Sequence, residues 1–241
     1  EDILICNMQC LPEPGSCPSR LVTAGVDCLQ ADVDVSEEEN GPVIHYGGHS
    51  LPIPVDEIRL LGHHNHFDIG VAYAVCRMMG MDDETFCRGL KTYEPLPHRL
   101  QYVGEKHGVS YYDDSISTIC ETTIQALETL KNADAVLIGG MDRGIDYREL
   151  IDYLSLSPVP HIVLMEATGK RIYEEISQFY SDFRGKDRLV LTEHLEQAVE
   201  AASRLCRPGS SCVLSPAAAS YGIFSNFEER GRVFSRLVSE L

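Results

Sequence analysis

Gly139-Gly140-Met141-Asp142-Arg143-Gly144 follows the apolar run Ala135–Ile138 and precedes a helix-like segment. Glycines in such a place let backbone N–H groups turn towards an anion, and Arg143 adds a positive charge. A plain strand-to-helix turn accounts for the same residues equally well. No G-x-x-x-x-G-K-[ST] loop occurs anywhere in the chain, so this is not a Walker-type phosphate loop. Asp113-Asp114-Ser115-Ile116-Ser117-Thr118 is a second polar cluster. Adjacent carboxylates can hold a metal–nucleotide or polarise a hydroxyl. Thr118 and Glu121 stand in capping-box spacing, so an N-cap for the following helix is the simpler account. Caps and ligand sites share strand–helix junctions, so the two readings are compatible.

His63-His64-Asn65-His66 places three histidines in four residues, which suggests metal. Sequence neighbours in a loop rarely converge on one ion without carboxylates or cysteines at suitable spacing. Capping by Asn65 or a polar contact is the preferred reading, and no metal ligand is assigned. Arg99, in Pro97-His98-Arg99, has the planar fork that suits a phosphate, against the alternative of an ordinary surface arginine. Leu214-Ser215-Pro216-Ala217-Ala218-Ala219-Ser220-Tyr221 combines a strand end with small side chains that leave room for a ligand or for close packing. Asn226-Phe227-Glu228-Glu229-Arg230-Gly231 then opens the last helix.

The elements that must position these residues fall into two groups. Residues 1–60 read as β-rich, with ILIC, RLVTAG, VIHY and LPIPV as strands and Tyr46-Gly47-Gly48-His49 as a hairpin turn. The acidic run Asp32–Asn40 reads as a solvated connection. Phe67–Gly80 has helical spacing, and Asp82 or Asp83 can cap a second helix running to Tyr93. Glu94-Pro95-Leu96-Pro97 cannot continue a helix and makes a stiff linker, which divides the chain into domains 1–93 and 94–241. Beyond it, a hairpin over 101–113 leads into strands at 134–139, 161–165, 187–192 and 211–215. Helices at 121–131, 147–154, 169–180, 194–206 and 224–240 alternate with them. This order predicts an α/β domain, a mostly parallel sheet with helices on both faces. Such sheets bind ligands at the C-terminal ends of their strands. That points to Tyr111–Thr118, Gly139–Gly144, Met165–Thr168 and Ser215–Tyr221.

The 241 residues carry a net charge of −17, which disfavours wrapping nucleic acid or docking on anionic lipid. No run approaches the ~20 apolar residues of a membrane span, and no signal peptide opens the chain. The sequence starts without Met, as a fragment or a processed product would. Nine cysteines without a C-x-x-C pair read as reduced, mostly buried thiols in a cytoplasmic protein. The spacing of Cys6, Cys10 and Cys17 fits no common zinc framework. No G-x-G-x-x-G follows a strand, which ranks a nicotinamide dehydrogenase low.

Taken in chain order, Gly62-His63-His64-Asn65-His66-Phe67, Leu96-Pro97-His98-Arg99-Leu100, Tyr112-Asp113-Asp114-Ser115, Gly139–Gly144, Leu214–Ser220 and Asn226–Gly231 resemble the Mur ligases. Within them they resemble the glutamate-adding, MurD-like branch. The resemblance covers about residues 60–241. It implies that residues 1–93 are the C-terminal part of a central ATP-binding domain whose P-loop lies upstream. Residues 94–241 would be the Rossmann-like, glutamate-binding C-terminal domain, and the fragment alone would be inactive. It further implies ATP and Mg2+ as cofactors and amide-bond formation through an acyl phosphate in peptidoglycan synthesis. The substrates would be UDP-N-acetylmuramoyl-L-alanine and glutamate, with D-glutamate preferred to L-glutamate. A cytoplasmic monomer without nucleic-acid or membrane partners is expected. By motif, Asp68, Arg99 and Asp114 would contact the nucleotide. Thr118, Arg143, Ser220, Tyr221 and Phe227 would hold glutamate, and Asp114 and Arg143 would be catalytic. Arg143 replaces the usual Lys and can pair bidentately with a carboxylate. Ile116 also stands where the family carries Lys, and it cannot bind a carboxylate. The competing readings are a related ligase with another amino acid or acceptor, and a non-catalytic Rossmann-like module that binds a nucleotide or amino acid.

Overall fold

The computed structural model describes residues 2–241. Two compact units meet in sequence at Pro95 and Leu96. The first contains β1 (Ile3–Asn7), β2 (Arg20–Val26), β3 (Val33–Glu38), β4 (Gly41–Tyr46), β5 (His49–Pro52), α1 (His63–Met78) and α2 (Asp83–Thr92). The five strands lie in sequence order, β1 to β3 parallel and β3 to β5 antiparallel. Val22, Ala24, Val33, Val35 and Ile44 pack with Ile69, Tyr73, Ala74 and Phe86 in one core. Each of the buried Val, Ile and Phe side chains contributes roughly 1.5–3 kcal/mol by leaving water.

Two expectations fail in this unit. The acidic run is a strand: Val33 and Val35 are buried, and Asp34 is buried too. Asp34 accepts from Cys28 N at 2.8 Å and Ser36 Oγ at 2.6 Å, so its polar cost is met. The second failure is the start of α1, which begins at His63 rather than Phe67. Gly62 is its N-cap, at φ 95°, and no side chain caps it. Asn65 does not cap; its Nδ2 donates to Leu61 O at 2.6 Å.

The second unit contains β6 (Gln101–Lys106), β7 (Val109–Asp113), α3 (Cys120–Thr129), β8 (Ala133–Gly139), α4 (Arg148–Leu156), β9 (His161–Met165), α5 (Glu166–Phe179), β10 (Leu189–Thr192), α6 (Leu195–Leu205), β11 (Ser211–Leu214) and α7 (Phe227–Ser239). The sheet order is β10-β9-β8-β11-β7-β6. Every pairing is parallel except the β6–β7 hairpin. Period-two alternation sorts the strands onto two faces. Val136, Ile138, Ile162, Leu164 and Val213 face a core shared with α3, α4 and α5. Ala135, Leu137, Val163, Met165, Cys212 and Leu214 face one shared with α6 and α7. This is the α/β sheet with helices on both faces that the element order predicts. The late strand β11 is inserted between β8 and β7, and this brings the ends of β7, β8 and β11 together. The expected Thr118 capping box is absent, since the N-cap of α3 is Ile119 without a side-chain bond. Helix α7 starts at Phe227, capped by Asn226, whose side chain accepts from Glu229 N.

Candidate active site

Asp113 closes β7 and Asp114 follows it, both buried. Asp113 Oδ2 lies 2.6 Å from His98 Nδ1, and its Oδ1 accepts from Ser115 N at 2.9 Å. Asp114 Oδ1 accepts from Leu100 N at 3.1 Å, and Oδ2 from Ser215 Oγ at 2.7 Å. Burial pushes the Asp114 carboxyl up to about 6; hydrogen bonds from Ser117, Ser215 and Leu100 N offset only part of that rise. Burial also raises Asp113, against the opposing hydrogen bond from His98. The segment before β6 is therefore tied down at both ends of its turn. His98 and Leu100 hold positive φ of 64° and 44°, a conformation costing L-residues roughly 1–2 kcal/mol each. Those bonds to the two carboxylates keep the strain in place. Arg99, between them, is half-buried, and its guanidinium makes no hydrogen bond or ion pair among the described residues. A phosphate suits such a group.

Arg230 lies one turn into α7 and is fully buried. Its Nε donates to Ser115 Oγ at 2.9 Å, and its Nη2 donates to Ser115 O at 2.9 Å and Ala218 O at 3.0 Å. A longer contact of 3.5 Å runs from Nη1 to Gly139 O. One guanidinium thus ties together the loops after β7, β8 and β11. Burial lowers its pKa to about 10, so it stays charged at neutral pH. Gly140 sits beside it at φ 155°, and a Cβ there would meet Ala219 O at 2.3 Å. Only glycine permits this approach. Met141 N donates to Ala219 O at 2.8 Å, which joins the loops after β8 and β11 a second time.

On the outer rim, Arg143 is exposed, and its Nη2 donates to Thr118 O at 2.7 Å. Two residues assigned to one ligand thus lie together. Ser220 is buried and Tyr221 is exposed at the end of the β11 loop. Phe227 is half-buried, edge-on to His98 with centroids 6.2 Å apart, and its carbonyl accepts from Ser115 Oγ at 2.8 Å. Asp68 belongs to the first unit, where it is exposed on α1. An open cleft of about 870 Å³ lies further along the sheet, lined by Glu166, Lys170, Thr192, His194, Gln197 and Arg204. It takes Glu166 and Ala167 from the strand end at Met165–Thr168 that the sheet rule singles out, but none of the residues assigned to nucleotide or glutamate. Glu166 Oε1 is buried there without a hydrogen-bond partner among the described residues.

Sequence reasoning gives no individual role to His98, Ser215 or Arg230, and names Asp113 only as one of two adjacent carboxylates. For Arg230 a signal exists: it occupies the stripe of Phe234 and Val238, where a charge must face the core and find partners. The His98–Asp113 pair leaves no local signal, because it joins segments separated by a whole hairpin.

Residues 98–218 match the family described as Mur ligase, glutamate ligase domain. The chain is 33% identical over 189 residues to a UDP-N-acetylmuramoylalanine–D-glutamate ligase of Thermoanaerobacter sp. (strain X514), covering 78% of this chain and 41% of that protein. It therefore spans about two-fifths of the length of that relative. Among solved structures, the UDP-N-acetylmuramate–alanine ligase of Thermotoga maritima superposes with a TM-score of 0.64 at 16% identity, over 91% of this chain and 48% of that one. A bifunctional folylpolyglutamate synthase/dihydrofolate synthase of Yersinia pestis, complexed with AMPPNP and manganese, gives 0.61 at 16% identity, over 91% and 48%. At such identities these two speak for the fold alone.

Proposed function

Because this chain belongs to the Mur ligase family, we propose that it is the C-terminal part of an ATP-dependent ligase that joins glutamate to UDP-N-acetylmuramoyl-L-alanine in peptidoglycan synthesis. D-Glutamate is the amino acid, as in the name of the relative from Thermoanaerobacter. Residues 1–93 are the end of the central ATP-binding domain and 94–241 the glutamate-binding domain. The enzyme is a cytoplasmic monomer; no helix among the described residues is long and apolar enough to cross a membrane. The observation that carries this reading is the polar rim over β7, β8 and β11, cross-tied by Arg230, by Asp114 with Ser215, and by Arg143 with Thr118.

The donor set suits a nucleotide and an amino acid. Asp114 accepts three hydrogen bonds, from Leu100 N, Ser215 and Ser117, which leaves about one of a carboxylate's roughly four acceptor positions for a nucleotide hydroxyl. Arg99 is uncommitted and fork-shaped, and it neutralises phosphate charge. Asp68 accepts from an adenine amino group. Bound ATP with Mg2+ supplies the phosphoryl group that activates the acceptor carboxylate; no residue of this chain is assigned to the Mg2+. Arg143 takes a glutamate carboxylate in its fork. Thr118, Ser220, Tyr221 and Phe227 border the same amino acid, with Tyr221 and Phe227 limiting its access to water. Their work is positioning and charge neutralisation, which suits the attack of an amine on an acyl phosphate.

The test uses the intact ligase that contains this chain. ADP release is followed with UDP-N-acetylmuramoyl-L-alanine, Mg2+ and either D- or L-glutamate. Release that requires D-glutamate is expected. Release that requires L-glutamate overturns the stereochemical part, and no release with either overturns the reading.

A further inference from the structure

We propose that Glu37, His63 and His66 form a binding site for a divalent transition-metal ion of the zinc class, with three protein ligands and at least one position open to water. This goes beyond the ligase reading and does not depend on it. The histidine cluster is not a loop: His63 and His66 occupy the first turn of α1, three residues apart, so both project from one side. The carboxylate that the sequence does not reveal as their neighbour comes from β3. Glu37 Oε1 lies 3.0 Å from His63 Nδ1 and 3.0 Å from His66 Nδ1. The three ligand atoms all lie within 4.8 Å of one another.

A tetrahedral zinc with bonds of about 2.0–2.1 Å keeps its ligand atoms roughly 3.3–3.5 Å apart. The two Glu37–imidazole separations of 3.0 Å fall just short of that, and a small outward movement of the glutamate admits the ion. An ordinary surface hydrogen bond needs one imidazole; here two imidazoles from one helical turn converge on the same oxygen. Both supports are regular elements. Glu37 pairs with Pro42 in the β3–β4 ladder, and its N donates to Asp27 Oδ1 at 3.2 Å. Accessibility is graded across the site: the His66 side chain is 10% exposed, Glu37 41% and His63 72%. The ion therefore has a fixed inner ligand and an open outer side. Two imidazole nitrogens and one carboxylate favour Zn2+, Co2+, Ni2+ or Cu2+ over Mg2+ or Ca2+, which prefer all-oxygen sites. A bound ion would clamp β3 to the uncapped first turn of α1, the turn that carries Asn65 and leads to Asp68.

The test is Co2+ binding to the metal-free full chain, followed by displacement with Zn2+. The nine cysteines, all free, make the spectrum decisive. The site predicts visible d–d bands at one ion per chain without a thiolate-to-cobalt charge-transfer band. Zn2+ should displace the Co2+, and millimolar Mg2+ should not. Glu37→Gln keeps the shape of the side chain and is expected to weaken Zn2+ binding about tenfold or more. His63→Ala with His66→Ala should weaken it at least about a hundredfold, with an unchanged circular dichroism spectrum. Zn2+ should raise the Tm of the unaltered chain and leave that of the double variant in place. A spectrum dominated by thiolate bands, no binding, or equal Zn2+ affinity in the variants overturns the proposal.

Discussion

Replacing Asp114 by Asn should make the second unit more stable at neutral pH while impairing nucleotide use. Asp114 is buried, and its carboxyl rises from an ordinary 3.8 to about 6. A carboxyl raised on folding is protonated in the native state over a window where the unfolded chain has already ionised. Native stability therefore falls as pH rises from about 4 to about 6. A rise of about two pH units at about 1.4 kcal/mol each puts the loss near 3 kcal/mol by pH 7. Asn cannot ionise and avoids that loss. Its Oδ1 can keep the bond from Leu100 N, and its Nδ2 can donate to Ser215 Oγ, whose hydroxyl also bonds Thr123 Oγ1 at 3.0 Å. Allowing about 1 kcal/mol for that rearrangement, a net gain of about 2 kcal/mol is expected at pH 7, passing through zero and becoming a net loss of up to about 1 kcal/mol near pH 4, as the parent carboxyl becomes protonated in both states. Asp113 titrates in both proteins and largely cancels. The assay is urea denaturation followed by circular dichroism at the two pH values, since the chain has no Trp. In the intact ligase, the same variant should raise the KM for ATP by about tenfold or more, the worth of one hydrogen bond to a charged group. A variant less stable than the parent at pH 7, or a gap that does not widen with pH, would refute the burial argument.

Arg230→Met leaves the buried acceptors on Ser115 and Ala218 without their donor. It should cost about 3–5 kcal/mol in the urea midpoint analysis, with Arg230→Lys recovering part; a loss below about 1 kcal/mol contradicts the tie between loops. In Gly231→Ala, the new Cβ would fall 2.2 Å from His98 Nδ1 and 2.4 Å from Asp113 Oδ2. A destabilisation of about 1–3 kcal/mol is expected in the same assay, and a neutral result means that the His98–Asp113 contact is looser than described. Arg143→Ala, at an exposed position, should leave stability within about 0.5 kcal/mol while raising the KM for glutamate by about tenfold; an unchanged KM removes Arg143 from the amino-acid site. Ile116→Lys should change the glutamate KM or the D/L preference, and if both stay fixed, that position lies outside the site.

The alternating order of the second unit is legible because β8, β9 and β11 are short apolar stretches with glycine or proline beside them, and the helices between them carry amphipathic stripes. What misled the reading was charge. Val33 and Val35 show period two, but Asp32, Asp34 and Glu37–Glu39 outweigh them on any local scale. The structure resolves the conflict by giving Asp34 two hydrogen-bond donors and leaving Glu38 at the strand end. The same bias hid Glu37 as a neighbour of the histidines. The motifs that contain Asp113–Ser115, Gly139–Gly144 and Leu214–Ser220 lie at the ends of β7, β8 and β11. They do not reveal that one arginine on α7 holds those loops together, because its partners are mostly carbonyl oxygens, which every residue carries.

The position of β11 has a consequence for biosynthesis. This strand is synthesised after the other five yet lies inside the sheet, bonded to β8 on one side and β7 on the other. Until it emerges from the ribosome, β7 and β8 have no partner between them, and their apolar faces and open edges are exposed to chaperones or to aggregation. Ser215, which bonds Asp114, and Ala218, which receives Arg230, arrive in that same last segment. The sheet and the polar rim are therefore completed in one late step. A nascent chain stopped short of it would hold neither a closed sheet nor a complete polar rim.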